Sequence, residues 1–307
     1  MSFALVKIIA MVTMLIDHIG VAFGNDGLSL ISYENTAILR TIGRIALPIY
    51  AYNIVNGWKY TKNKSEYVYR LVLFMSISQI PFSILSSNSN YVTSFNSLSD
   101  FTSLVISTAP GMQLMLGAVF LASRFLLYGK NDLRTTTALV VASGFAVLNI
   151  STESNLVYAD SSSLSIFYTL GTAAYVMYEI ELFRDSSTEQ STITRALRVI
   201  SIISIVYFFC GNSDYSYIGL FLVLALYAAK EKKTYQLVIM GIWNFITYGS
   251  APAPYNYFFI SSMISVLIIY LYNGKKGYSQ KWFQYFSYVF YPLHLLILSL
   301  FIIFKPI

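Results

Sequence analysis

Two ionisable residues sit side by side deep in the first apolar stretch of the chain, in Lys7-Ile-Ile-Ala-Met-Val-Thr-Met-Leu-Ile-Asp17-His18-Ile-Gly. Burying an Asp–His pair in a helix surrounded by hydrocarbon is costly unless the pair has a partner or a task. Lys7 and His18 are eleven residues apart. On a helix that spacing returns to nearly the same face, about 16 Å further along the axis. One face would thus carry a cation near one membrane boundary and an imidazole far across. Such a face suits a ligand with an anionic head and a long neutral arm, and coenzyme A is one. Its phosphates would meet Lys7 and neighbouring cations, and its thioester would reach His18. Neutral imidazole accepts a proton near neutral pH, so His18 is the candidate general base for an attacking amine or hydroxyl. Asp17 is a candidate to orient that imidazole. Adjacent helical residues diverge by about 100°, however, so an Arg on the next span is an alternative partner for Asp17.

The second apolar stretch supplies such residues in Arg40-Thr-Ile-Gly-Arg44-Ile-Ala-Leu-Pro48. Arg40 and Arg44 are four apart and share a helix face. Arg44 is expected about two turns deep, where it must pair with a carboxylate or face a cavity. There it could polarise a thioester carbonyl or stabilise the oxyanion. Near the other end of the chain, His294 follows Pro292, which can kink a helix and free carbonyls. His294 is a candidate second acid–base, an acceptor contact or a structural hydrogen-bonder. Arg40, Gln79, Asn244 and Tyr291 are candidates to surround the site or contact the acceptor, and Asn53 and Asn56 also lie within spans. Interhelical hydrogen bonding is the ordinary use of such polar residues. Lys7 has the plain reading of a snorkelling side chain, and Asp17 with Arg44 that of a structural ion pair. No third ligand accompanies the two histidines at metal-site spacing, so no metal is expected.

The elements that must hold these residues are membrane helices. The chain has 307 residues, 56% hydrophobic and 11% charged, with mean hydropathy +0.60. A soluble domain carries about 25% charged residues. The expected fold is all-α: one polytopic transmembrane domain over residues 1–307 with about eleven spans (ten to eleven). The spans fall near 3–24, 36–57, 66–87, 110–128, 134–150, 163–184, 193–211, 214–230, 234–250, 257–273 and 283–304. The Ser/Asn-rich gap at 88–109 reads as a re-entrant or interfacial segment, and no internal repeat is visible. Basic gaps such as Lys59-Tyr-Thr-Lys62-Asn-Lys64, Lys230-Glu-Lys232-Lys233 and Lys275-Lys276 alternate with gaps that lack Lys and Arg. The positive-inside rule then puts the N-terminus in the cytoplasm. The net charge of +6 therefore orients the protein in a membrane and does not mark a nucleic-acid binder. On the cytoplasmic side, Arg70, Lys275 and Lys276 join Lys7 as candidate ligands for coenzyme A phosphates. Arg124, Arg195 and Arg198 are further cations there, with Glu179 and Glu181 as their carboxylate partners. Cys210 is the lone cysteine, which excludes a disulfide framework. No cleavable signal peptide is evident.

Lys7–Gly24 with Asp17-His18, Gly43-Arg44-Ile-Ala-Leu-Pro48-Ile-Tyr-Ala, Arg70-Leu-Val-Leu-Phe with Gln79-Ile-Pro-Phe82, Tyr272-Asn-Gly-Lys275-Lys276-Gly and Tyr291-Pro292-Leu-His294 together resemble the TraX family. The resemblance covers both ends and is weak in the middle. It implies N-terminal acetylation of pilin, and kinship with membrane acyltransferases of the acyltransferase 3 type. Those carry a Lys/Arg-x10-His pattern that Lys7 and His18 match. By that resemblance His18 is the catalytic histidine and acetyl-CoA enters from the cytoplasm. The chain departs from the family where Gln79-Ile-Pro-Phe-Ser83 stands for Glu-Ile-Pro-Phe-Asp, and again around Gly111-Met-Gln113-Leu. These departures put the acceptor in doubt.

The expected function is acetyl transfer to an amine or hydroxyl acceptor at or beyond the outer face, in the plasma (inner) membrane. The acceptor is a pilin N-terminus or another surface protein, glycan or lipid. The alternatives are a proton-coupled transporter or flippase using Asp17, His18 and Arg44, and a non-catalytic membrane partner. Membrane lipids are expected partners, nucleic acid is not, and homodimerisation stays open.

Overall fold

The computed structural model describes residues 1–24, 28–86, 164–184, 199, 202–203, 206–211, 213–252 and 255–304. These form helices α1 (Phe3–Phe23), α2 (Tyr33–Gly43), α3 (Ala46–Tyr60), α4 (Lys64–Ser86), α5 (Ile166–Arg184), α6 (Ser216–Ala228), α7 (Lys233–Tyr248), α8 (Phe258–Tyr270) and α9 (Lys281–Ile303). A π-helical turn at Val206–Cys210 and a 3₁₀ turn at Tyr255–Tyr257 complete them. No strand occurs among the described residues; Leu164 and Ser213 make an isolated bridge. The expected spans at 110–128 and 134–150, most of 193–211 and the 88–109 segment lie outside the described residues, as do Arg124, Arg195 and Arg198.

Among the described residues, α1 and α9 are the two helices long and apolar enough to cross a membrane. On α9 one face buries Leu295, Leu298 and Ile302 while Val289, Leu293, Leu296 and Phe301 stand exposed on others. A helix apolar all round fits a lipid solvent and not water. Helices α6 and α8 are apolar but shorter.

The described residues divide into two compact units. The first comprises the described parts of Met1–Lys59, Ile84–Phe101 and Leu222–Ile307; the second, those of Tyr60–Ser83 and Thr102–Phe221. In the second unit Gly171 lies close to Met75, and the Gln79 side-chain oxygen accepts from the Ser165 N–H at 2.9 Å. Thr169 Oγ1 donates to the Asp214 carbonyl at 2.8 Å, and the Tyr168 and Phe209 rings meet edge-on.

The first unit is organised around α1. Glycines let α2 approach it closely and antiparallel: a Cβ at Gly20 would press on Leu39 and Arg40, and one at Gly43 would collide with the Asp17 carboxylate. Small residues at such contacts are how membrane helices gain close packing. Helix α9 runs parallel to α1. Ala4 and Met11 pack with Phe283 and Phe290 near the helix starts, and Phe23 meets Phe301 at the far end.

The start of α1 is tied down by the segment before α9. Lys275 O accepts from Phe3 N–H at 2.9 Å and Lys276 O from Ala4 N–H at 3.1 Å. These are N–H groups with no partner inside their own helix. The turn that presents the two carbonyls needs positive φ at Gly274 (+76°) and Gly277 (+68°), and Gly277 lies against Ser2.

The single span expected over 36–57 differs from what the chain does. Helix α2 ends at Gly43, Arg44 and Ile45 form a turn, and α3 begins at Ala46. Pro48 falls in the first turn of α3, where its missing N–H breaks no internal bond. Two of the carbonyls left at the break are satisfied by side chains. Arg44 Nε donates to Arg40 O at 3.1 Å, and Ser261 Oγ of α8 donates to Thr41 O at 2.6 Å.

Candidate active site

Asp17 and His18 are neighbours in sequence, yet they serve different helices. The Asp17 carboxylate faces α2, where Arg40 Nη1 reaches Oδ2 at 2.8 Å and Arg44 Nη2 reaches Oδ1 at 2.6 Å. Two guanidiniums on one carboxylate leave the cluster with an excess of positive charge. The Arg44 guanidinium also lies over the Phe258 ring, 4.9 Å from its centroid. That ring covers one face of the cation and favours it electrostatically. Arg44 is thus held by its own carbonyl neighbour, by Asp17 and by Phe258, and is buried at 8% exposure.

His18 faces α9 instead. Its Nδ1 lies 2.7 Å from Nε2 of His294, and the two rings are nearly coplanar, with centroids 5.0 Å apart at 19°. The imidazole partner is therefore His294, and of the two partners that the sequence left open for Asp17, the arginines take it. Tyr291 stands edge-on to both imidazoles, at 5.8 Å and 5.5 Å between centroids. Phe290 stacks on His294 at 4.9 Å, and its carbonyl lies 2.7 Å from His294 Nδ1. His18, His294 and Tyr291 are all buried. Pro292 sits inside α9 between these residues without ending the helix.

The remaining candidates fall in three places. Lys7 is half-buried one turn beyond the tied start of α1, with its ammonium 5.0 Å from the Phe3 ring centroid. Lys275 and Lys276 are at that same end through their bonds to Phe3 and Ala4. The Phe3, Tyr52 and Tyr272 rings pack there, and Lys233 caps α8 by donating to Tyr270 O at 3.0 Å and Tyr272 O at 2.6 Å. Burial lowers the pKa of the Lys233 ammonium. Asn244 ties α7 to α8 through the Ser262 carbonyl at 3.0 Å. Asn53 is buried in α3, and its carboxamide finds no hydrogen-bond partner among the described residues. Arg70 and Gln79 belong to the second unit. No group of three potential metal ligands occurs among the described residues.

Residues 2–108 and 143–302 match the TraX protein family model. The chain belongs to the TraX family. A relative of this TraX-family chain, the probable fimbrial assembly protein FimC of Dichelobacter nodosus, is 27% identical over 169 residues. That stretch is 55% of this chain and 60% of the relative. No solved structure matches. Family membership together with the two long apolar helices points to a membrane protein.

Sequence reasoning missed three parts of this TraX site. Ser261 satisfies the broken end of α2, Phe258 backs Arg44, and the Phe290 carbonyl engages His294. A serine pair on an apolar helix was a readable hint for Ser261. No local signal marks a backbone carbonyl or a packed ring.

Proposed function

We propose that this chain is a multi-pass membrane acetyltransferase of the plasma (inner) membrane. It moves an acetyl group from cytoplasmic acetyl-CoA to an amine or hydroxyl acceptor at or beyond the outer face. The observation that carries this reading is a buried imidazole on α1 beside a carboxylate–diguanidinium cluster, while cations gather at the start of the same helix. The fit to coenzyme A rests on that start: Lys7, Lys275 and Lys276 suit phosphates, and the positive end of the helix dipole adds to them. Fimbrial assembly in the relative's name favours a pilin-type acceptor over a glycan or lipid.

The chemistry asks two things of the protein. His18 removes the proton as the acceptor nitrogen or oxygen bonds to the acetyl carbon. The excess positive charge around Arg44 and Arg40 stabilises the oxyanion that the same bond formation creates on the carbonyl oxygen. As the carbon–sulfur bond breaks, the proton passes from His18 to the leaving sulfur, giving free coenzyme A and the acetylated acceptor.

The test is His18→Ala in cells, with acetylation of envelope proteins read by mass spectrometry. Acetylation present with the wild-type chain should vanish, because general base catalysis contributes about 10²–10⁴-fold. The variant should still insert, since Ala is tolerated in an apolar helix. Full acetylation by the variant would end the proposal. Thermal stabilisation of the purified wild-type protein by acetyl-CoA, about 2.7 kcal/mol at a hundredfold excess over Kd, is the binding control. A proton-coupled transporter would show no such stabilisation.

A further inference from the structure

We propose that His294 is a positioning residue that selects which nitrogen of His18 acts as the base. This rests on the acetyltransferase reading for its kinetic consequence, but its structural content can be tested separately.

The direction of the hydrogen bonds decides which nitrogen is bare. A backbone carbonyl only accepts, so His294 Nδ1, 2.7 Å from the Phe290 carbonyl, must carry its proton. A neutral imidazole has one N–H, so His294 Nε2 presents a lone pair. His18 Nδ1 lies 2.7 Å from that nitrogen and must therefore donate to it. The lone pair of His18 is then on Nε2, the ring nitrogen that His294 does not engage. A chain of two imidazoles ending on a carbonyl thus writes one tautomer onto His18.

The arrangement is built to hold that direction. Phe290 stacks on one face of His294, and Tyr291 meets both imidazoles edge-on, which limits ring rotation. The Phe290 carbonyl is one helical turn before His294, so α9 itself sets the first link. When His18 Nε2 takes the acceptor's proton, the new imidazolium donates through Nδ1 to the neutral Nε2 of His294. That bond becomes charge-assisted and stronger. The same proton later leaves Nε2 for the departing sulfur, and His294 ends as it began. Asp17 stays outside this chain because Arg40 and Arg44 occupy it. The second-partner role usual for a carboxylate in a base–orienter pair falls here to an imidazole.

The test compares His294→Leu with His294→Gln. Leu removes the acceptor for His18 Nδ1–H. Gln presents an acceptor oxygen near the Nε2 position. His294→Leu should lower kcat about 10²-fold with little change in KM for acetyl-CoA, within the range of a misdirected base. His294→Gln should recover much of that loss. Nitrogen NMR of ring-labelled histidine provides a readout independent of activity. In the wild-type protein His18 should be protonated at Nδ1 and bare at Nε2, and His294→Leu should mix the two tautomers. A proton on His18 Nε2 in the wild type, or wild-type kcat in His294→Leu, overturns the inference. If the wild-type protein transfers no acetyl group, the functional reading fails while the NMR result still decides the tautomer.

Discussion

Asp17 holds one negative charge between two guanidiniums, and its energetic role follows from that count. Each arginine alone would be an uncompensated cation in a poorly solvated place. Asp17→Asn keeps the shape but removes the charge both cations need. The variant should lose about 3–5 kcal/mol of stability, as breaking a buried pair does. Denaturation of the purified protein in micelles measures this, and an unchanged midpoint would show that the cluster is well hydrated. Much of this was legible: Arg40 and Arg44 at helical spacing and a lone deep carboxylate implied one another. The choice between Arg and His as the partner of Asp17 was open, because it depends on which way one helix turns its face. Packing against α2 and α9 decides it, sending Asp17 to the arginines and His18 to His294.

At the scale of elements, α1 is positioned by its two ends and its two neighbours. The turn before α9 presents carbonyls to the first N–H groups of α1, and its shape depends on Gly274 and Gly277. A non-glycine residue at positive φ costs about 1–2 kcal/mol. Gly274 has open space around it, whereas a Cβ at Gly277 would strike Ser2. Gly274→Ala should therefore cost only the conformational term. Gly277→Ala should cost more, loosen the start of α1 and weaken acetyl-CoA binding as well. Thermal unfolding with and without acetyl-CoA separates the two variants, and equal losses would refute the packing account. The sequence marked Tyr272-Asn-Gly-Lys275-Lys276-Gly through its family resemblance, but not that its backbone caps the first helix. The helix break at Arg44 was hidden for a related reason. Apolar periodicity runs through it, and one of its loose carbonyls, that of Thr41, is satisfied by Ser261, 220 residues away.

Across the whole molecule, basic gaps alternate with gaps free of Lys and Arg, and α1 and α9 run parallel. The parallel course puts both helix starts on one side, and the positive-inside rule makes the cytoplasm the expected side. A cysteine introduced as Lys276→Cys, with Cys210→Ala to remove the native thiol, should react with a membrane-impermeant reagent only from the cytoplasmic side. Labelling from outside would invert the orientation and remove the basis for cytoplasmic acetyl-CoA. Composition and periodicity alone determined that the chain is helical and suited to lipid, and its motifs pointed to the TraX family. These properties are local: a side chain's hydropathy and a 3.6-residue repeat do not depend on distant partners. Tertiary structure alone decided that His18 meets His294, 276 residues away, and that Asp17 does not hold the imidazole. A hydrogen bond forms within about 3 Å, and no spacing along a chain specifies that two remote helices bring their rings so close.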